Sequence, residues 1–372
     1  MKPHETALAA LARKARLRCL VPRAGLDFTS NDYLGLAESD GLRQAAMAAL
    51  ARGVPLGAGG SRLLRGNHPE HEALEDEAAK FFGSEAALYF PSGFAANAAL
   101  FASLPRREDL IVHDTLIHAS VREGIDPARV AIVEVAHNDV TAVEDAIRQW
   151  RARGGMGRAW IAVETLYSMD GDRAPLDELV ALADATDSML VLDEAHATGV
   201  YGPQGRGMGA AHEGRENIIS LHTCGKALGA SGGLITCSRL YRDFLVNRAR
   251  AFVYSTAPSP LMAAVVREAL KLSAAADAKR ARLAGLVAHA GRSAQQGWLA
   301  SGSQIQPIIL GQDARALRFA EGLQAQGYDI RAIRPPTVPE GTARLRLAIT
   351  VHVTEADLDA VFAWLAEEMA KA

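Results

Sequence analysis

Short uninterrupted apolar runs alternate with amphipathic stretches through the middle of the chain. AWIAVE (159–164) predicts a strand buried on both faces, PLDELVALADA (175–185) a helix with proline in its first turn, and SMLVL (188–192) the following strand. Strand, helix and strand at that spacing predict a parallel sheet. IISL (218–221) adds a further strand, and helices are expected over 72–82 and 97–103, following the glycine-rich stretch 57–66. Residues 41–272 then make one large α/β domain with a doubly wound, mainly parallel sheet. After an alanine-rich helix at 261–276 the texture changes. A strand at 306–310, a helix at 314–326, a strand at 345–351 and a helix at 355–370 opened by Thr354 predict a smaller α/β domain over 273–372, joined by the N-terminal segment 1–40.

Composition narrows the partners. The chain has 372 residues, 49% of them hydrophobic, enough for a packed core. Its 40 Lys and Arg against 43 Asp and Glu give a net charge of −3, and no basic block is interleaved with aromatics. Neither nucleic acid nor a membrane surface is expected as a partner, and small molecules are. Cys19, Cys224 and Cys237 are odd in number and form no CxxC pair, which argues against a disulfide framework and a structural zinc site, so no metal is expected. The N-terminal ALAALA is interrupted by Arg13 and is too short for a signal sequence, and no segment reaches the roughly 20 apolar residues of a membrane span. A cytoplasmic location follows as the expectation.

In an open parallel sheet, ligands bind beyond the carboxyl ends of the strands, so polar residues that directly follow apolar runs are the candidates for chemistry. Asp193 in LVLDEAHATG is one, with Glu194 and His196 close behind, and it reads either as a helix cap or as a charge partner for a ligand. Ser168 in TLYSMDGD reads as a turn former or a ligand contact. Lys226, in TCGKALGASGG, reads either as a solvated loop residue or as a partly desolvated amine able to form an imine with an aldehyde, with small residues after it that leave room for a bulky group. An aspartate on a neighbouring strand end suits the protonated ring nitrogen of pyridoxal phosphate, and Asp193 with Lys226 matches that pairing. The turn at Pro91–Phe94 opens a helix whose backbone N–H groups suit a phosphate, while Gly93 alone reads equally as a tight-turn residue. His118 reads as a structural histidine or as a ring that stacks on a cofactor and exchanges protons.

NDYLGL (31–36), GAGGSRLLRGNHPEHEALE (57–75), FPSGFAAN (90–97), HAS (118–120), YSMDGDRAPL (167–176), LDEAHATGVYGPQGRG (192–207) and TCGKALG (223–229) together resemble the α-oxoamine synthase family. These are pyridoxal 5'-phosphate enzymes of the fold type I aminotransferase class, which condense an amino acid with an acyl thioester and release carbon dioxide. The resemblance runs from about residue 29 to 350. It implies that Lys226 bonds covalently to the cofactor, that Asp193 partners the pyridine nitrogen, that His118 stacks on the ring, that His196 meets the phenolic oxygen and that Ser168 lies beside the ring. Thr223 and the backbone at Gly93 and Phe94 would bind phosphate. Ser255 and Thr256 in YSTAPSP would reach the phosphate held by a partner subunit, which implies a homodimer with its active site at the interface.

The segment IRPPTVPEGTARLRL (333–347) resembles most closely the biotin-pathway members, which join L-alanine to a pimeloyl thioester. Members acting on glycine or serine share the central motifs and differ in this segment. The resemblance gives Asn31, His118, Arg334, Thr337 and Arg346 substrate contacts, the two arginines as forks for the amino acid carboxylate. An N-terminal arginine completes the set, with Arg18 as the choice and Arg16 as the alternative. Whether coenzyme A or acyl carrier protein delivers the acyl group is left open. A catalytically silent partner subunit would lack Lys226, and a nicotinamide dehydrogenase would need a GxGxxG directly after the first strand, which the glycines at 57–66 do not provide.

Overall fold

In the computed structural model, which describes residues 2–126, 129–293 and 301–371, the chain divides into two compact units. One comprises Leu34–Tyr167 and Arg173–Asp277. The other gathers the residues up to Tyr33, Ser168–Asp172 and Ala278 onward. Against the expected boundaries of 1–40, 41–272 and 273–372, the first transition falls at Tyr33 and the last at Asp277, and five residues from mid-chain belong with the terminal segments.

The larger unit is built on a seven-stranded sheet. Its order is Ala86–Phe90, Gly233–Cys237, Ile218–Thr223, Met189–Asp193, Ala159–Glu164, Leu110–Asp114 and Ala131–Val135. Every neighbouring pair is parallel except the two made by Gly233–Cys237, which runs against both of its neighbours. The interior strands are buried throughout because helices cover both faces, and this is why they read as continuous apolar runs rather than as alternation. On one face Phe90, Ile111, Trp160, Val191, Ile219 and Ile235 pack with residues of Gly93–Ser103 and Ala119–Ile125. On the other, Val112, Ile161, Val163, Leu190 and Leu192 pack with residues of Val140–Ala152 and Leu176–Ala185. The edge strand Ala131–Val135, AIVEV, is largely exposed although it is apolar at every position but Glu134.

The predicted elements occur within a few residues of their expected bounds. The helix expected at 175–185 is Leu176–Ala185 with Pro175 at its cap, and that expected at 97–103 starts earlier, as Gly93–Ser103, with the Ser92 hydroxyl accepting from the Ala95 N–H. The helix expected at 72–82 is Pro69–Phe82, where the His68 ring caps the first turn.

In the smaller unit, Ala332–Ile333, Ala343–Ala348 and Ile305–Gly311 form an antiparallel sheet with the helices Asp313–Ala325 and Glu355–Ala370, the latter capped by Thr354. Leu26–Asp27 pairs with Tyr328–Asp329, and the Ala348 N–H donates to Phe28, so the N-terminal segment is stitched to this unit by backbone bonds. Two buried arginines hold the mid-chain segment here. Arg344 donates to Asp170 Oδ1 at 2.5 Å, and Arg346 Nε to the Ser168 carbonyl at 2.5 Å.

Candidate active site

The parallel strands of the larger unit deliver their chemistry at their carboxyl ends. Asp193 is the last residue of Met189–Asp193 and Thr223 the last of Ile218–Thr223, and Lys226 lies on the short return from that strand to Gly233–Cys237. The return is a tight one. The Cys224 N–H donates to Gly232 and the Ala230 N–H to Cys224, which sets Lys226 on a fixed arch. Among the small residues after Lys226, Gly229 and Gly232 allow the chain to pack closely on itself. Gly232 sits at φ 121°, and a Cβ there would come within 2.3 Å of the Tyr89 ring.

Lys226 Nζ lies 2.8 Å from His196 Nε2. An ammonium there donates to the ring nitrogen, and a neutral amine accepts from it, so one proton serves both groups. Asp193 is 4% exposed, and its carboxylate is held at both oxygens. Oδ1 accepts from the Ala195 N–H at 2.9 Å and Oδ2 from Asn97 Nδ2 at 2.7 Å. His118 caps the helix Ala119–Ile125, with Nδ1 accepting from the Ser120 N–H at 3.2 Å and lying 2.7 Å from Ser120 Oγ. Burial pushes the His118 imidazole below its ordinary pKa; the Asp193 carboxylate opposes this and the Lys226 charge adds to it. The favoured form is therefore neutral, with Nδ1 as acceptor and the ring proton on Nε2.

A helix N-terminus adjoins these groups in the same unit. The helix Gly93–Ser103 presents the N–H groups of Gly93 and Phe94 in its first turn, where no intrahelical acceptor exists. A Cβ on Gly93 would lie 3.2 Å from Thr223 Oγ1, and one on Gly233 would lie 2.8 Å from the Gly93 backbone, so the helix start rests directly on the strand that ends in Thr223. The site's donors and its caged carboxylate fit pyridoxal phosphate: an amine for the aldehyde, a carboxylate for the ring nitrogen and N–H groups for the phosphate.

Glu194, beside Asp193, has a different task. Fully buried, with its pKa raised by that burial, it accepts from the Met208 and Gly209 N–H groups at 2.9 and 2.5 Å and ties down that turn.

The smaller unit holds Ser168 and the expected substrate arginines. Arg346 is 7% exposed; Nη2 donates to Asn31 Oδ1 at 3.0 Å and Tyr33 Oη at 3.3 Å, while Nη1 makes no hydrogen bond among the described residues. Arg334 donates to the Ala15 carbonyl. Arg16 is taken up by two carboxylates, Asp313 at 2.5 Å and Glu340, whereas exposed Arg18 makes one long contact, 3.3 Å to Thr337 Oγ1. Ser255 and Thr256 lie in the larger unit between helices. The Ser255 hydroxyl donates to the Thr256 carbonyl, and their hydrogen bonds among the described residues do not reach the Lys226 group. Sequence reasoning missed Asn97, Ser120 and Arg344; the signal available was the position of all three inside the quoted motifs.

The family described as aminotransferase class I and II matches residues 23–365. The 8-amino-7-oxononanoate synthase of Chromobacterium violaceum is 41% identical over 343 residues, which is 91% of this chain and 88% of that protein. That of Gluconacetobacter diazotrophicus is 42% identical over 345 residues, 90% of this chain and 85% of the relative. Among solved structures, the 8-amino-7-oxononanoate synthase of Francisella tularensis superposes with a TM-score of 0.79 at 26% identity, covering 93% of this chain and 98% of its own. A serine palmitoyltransferase from S. paucimobilis, solved with a bound PLP–myriocin aldimine, shares the fold, with a TM-score of 0.87 at 23% identity and coverage of 98% and 97%.

Proposed function

The chain belongs to the aminotransferase class I and II family, and from that premise we propose that it condenses L-alanine with a pimeloyl thioester, releasing carbon dioxide and free thiol to give 8-amino-7-oxononanoate for biotin synthesis. It is a pyridoxal phosphate-dependent acyltransferase of the 8-amino-7-oxononanoate synthase kind. The observation that carries the reading is the grouping of Lys226, His196, His118 and Asp193 at neighbouring strand ends beside a helix N-terminus.

When bound, pyridoxal phosphate supplies an aldehyde carbon for amines and a cationic ring that takes up electrons from a bond broken next to it. Lys226 would hold it, with Asp193 at the ring nitrogen, His196 at the phenolic oxygen, and Thr223, Gly93 and Phe94 at the phosphate. Ser168 would lie beside the ring. Lys226 Nζ would serve as the base toward the alanine Cα proton, and its contact with His196 would give that proton a second site. His118, neutral with its proton on Nε2, is suited to donate a hydrogen bond to the thioester oxygen as charge develops there, and not to act as a base through that nitrogen. Arg346 offers Nη1 to the alanine carboxylate, with Asn31 and Tyr33 fixing its plane. Arg334 and Thr337 would join the substrate contacts, and Arg18 is a better N-terminal contact than Arg16, whose guanidinium is already paired.

The functional unit is proposed as a homodimer in the cytoplasm. The Ala257 N–H donates to Gly60 and His71 Nε2 contacts the Pro258 carbonyl, so the 57–66 stretch and the Ser255–Thr256 segment adjoin; Leu64 in the first, and Leu56 and Tyr254 directly before the two, are 83%, 70% and 76% exposed. Apolar side chains left bare on adjoining segments support a contact with a second copy. No helix among the described residues is long and apolar enough to cross a membrane.

The test is thiol release from pimeloyl-coenzyme A and from pimeloyl-acyl carrier protein, with alanine, glycine and serine as amino acids and the product mass recorded. Alanine-dependent formation of 8-amino-7-oxononanoate, abolished in Lys226→Ala, is the expected result. A preference for glycine or serine with another acyl group would transfer the chain to a neighbouring activity of the same family.

A further inference from the structure

We infer that Asn97 is a positioning residue of this site, its side-chain amide holding both the Asp193 carboxylate and, through Ser120, the His118 ring in the orientation that the cofactor requires. The inference rests on the function proposed above and concerns a residue to which that function assigns no role. Asn97 lies in the middle of Gly93–Ser103, GFAANAALFAS, a helix otherwise rich in apolar residues, and is 1% exposed. An asparagine there gives up helix propensity and buries an amide, so its retention calls for a specific set of bonds.

Those bonds are directional. Nδ2 donates to Asp193 Oδ2 at 2.7 Å and to Ser120 Oγ at 3.0 Å, which uses both of its protons, while Oδ1 has no partner among the described residues. Reversing the amide would set its oxygen against a carboxylate and forfeit that bond, so Asp193 fixes which way it points. Ser120 Oγ, accepting from Asn97, then sends its own proton to His118 Nδ1 at 2.7 Å, reinforcing the Ser120 N–H bond to the same nitrogen. One amide thereby orders a chain from Asp193 to His118: it fixes the plane of the carboxylate meant for the ring nitrogen and leaves the imidazole proton on Nε2. The charged and titratable groups around the chain are Asp193, His118, Lys226 and His196.

The experiment compares holoenzyme carrying Asn97→Leu, which removes the donors at similar volume, with Asn97→Ala, which removes them and the volume together. Three quantities are read: the 15N resonance of cofactor labelled at its ring nitrogen, kcat and KM for alanine, and the melting temperature of each apoprotein. The expected result is a ring-nitrogen resonance displaced toward the unprotonated position and a fall in kcat of about ten- to a hundredfold, the worth of a hydrogen bond to a charged group, with KM for alanine changed less than about threefold. Wild-type resonance in either folded variant overturns the inference, whether or not kcat falls. So does a collapse of both apoprotein melting temperatures, which would make Asn97 a residue of the fold. Wild-type protein lacking the visible absorbance of lysine-bound cofactor would instead sink the proposed function, so the two failures are separable.

Discussion

Replacing Arg346 by lysine keeps the charge and removes the fork, and the structure says what that costs. The guanidinium spans three fixed acceptors, the Ser168 carbonyl at 2.5 Å, Asn31 Oδ1 at 3.0 Å and Tyr33 Oη at 3.3 Å, and on the proposed reading Nη1 meets the alanine carboxylate. A single ammonium on a flexible stem can serve one of these places at a time. If it stays with the Ser168 carbonyl, the alanine carboxylate loses a charge-assisted bond of about 1.5–3 kcal/mol, which is roughly a ten- to hundredfold weaker binding of alanine. If it follows the carboxylate, the protein loses two or three bonds of about 1 kcal/mol each, and the cost appears in stability instead. The assay is alanine binding without acyl donor, read by the change in cofactor absorbance, together with the same titration using alaninamide, which has no carboxylate charge. Arg346→Lys is expected to weaken alanine and leave alaninamide nearly unchanged. Equal weakening of both ligands at unchanged melting temperature would refute the assignment of Arg346 to the carboxylate.

Three further outcomes are expected. Glu75→Gln leaves the Arg62 guanidinium buried without its bidentate partner, at present 2.8 and 3.0 Å away, and breaking a pair of this kind costs about 3–5 kcal/mol; a fall in denaturation midpoint equivalent to less than about 1 kcal/mol would contradict it. His71 is depressed to about 4, by burial first and then by the Arg62 charge, against the pull of the Pro258 carbonyl. Because the folded value lies below the unfolded one of 6.5, the neutral ring's contribution is complete above pH 6.5 and is lost as pH falls toward 4. The stability advantage of wild type over His71→Gln should therefore shrink across that window in urea titrations; a constant or growing advantage would contradict it. Mixing inactive Lys226→Ala with an inactive Ser255→Ala/Thr256→Ala double variant, after dissociation and reassociation, should restore about a quarter of wild-type turnover if each site draws on two copies, and none if it does not.

The sequence was most informative where burial is two-sided. Ala159–Glu164 and Ile218–Thr223 have no wet face, so their apolar runs announced them, and the polar residue that ends each run marked the ligand side of the sheet. Ala131–Val135 is different: AIVEV is apolar but for Glu134, yet as an edge strand it is largely exposed, so its apolar residues do not report two-sided burial. The antiparallel course of Gly233–Cys237 was hidden, since direction in a sheet is a matter of pairing and not of composition. Lys226 was conspicuous as a long cation among small residues, whereas Asn97 was one polar residue in an alanine-rich helix, and its worth lies in Asp193, far along the chain. Contiguous reading could not assign Ser168–Asp172 to the smaller unit either. Its bonds are with Arg344 and Arg346, and only folding brings those positions together.

The return strand Gly233–Cys237 constrains how this protein can diversify. Both ends of the arch bearing Lys226 are clamped by the Thr223–Gly233 register, and an insertion or deletion that slipped this register by one residue would exchange the faces of the strand. Ile235 would leave the oily side of the sheet, and Thr236, which donates to Glu213 and the Ser220 carbonyl, would enter it. Loop-length libraries built between 224 and 232 are thus a poor route to new acyl or amino acid preferences, and tolerance for indels should be sought in segments that no ladder pins at both ends.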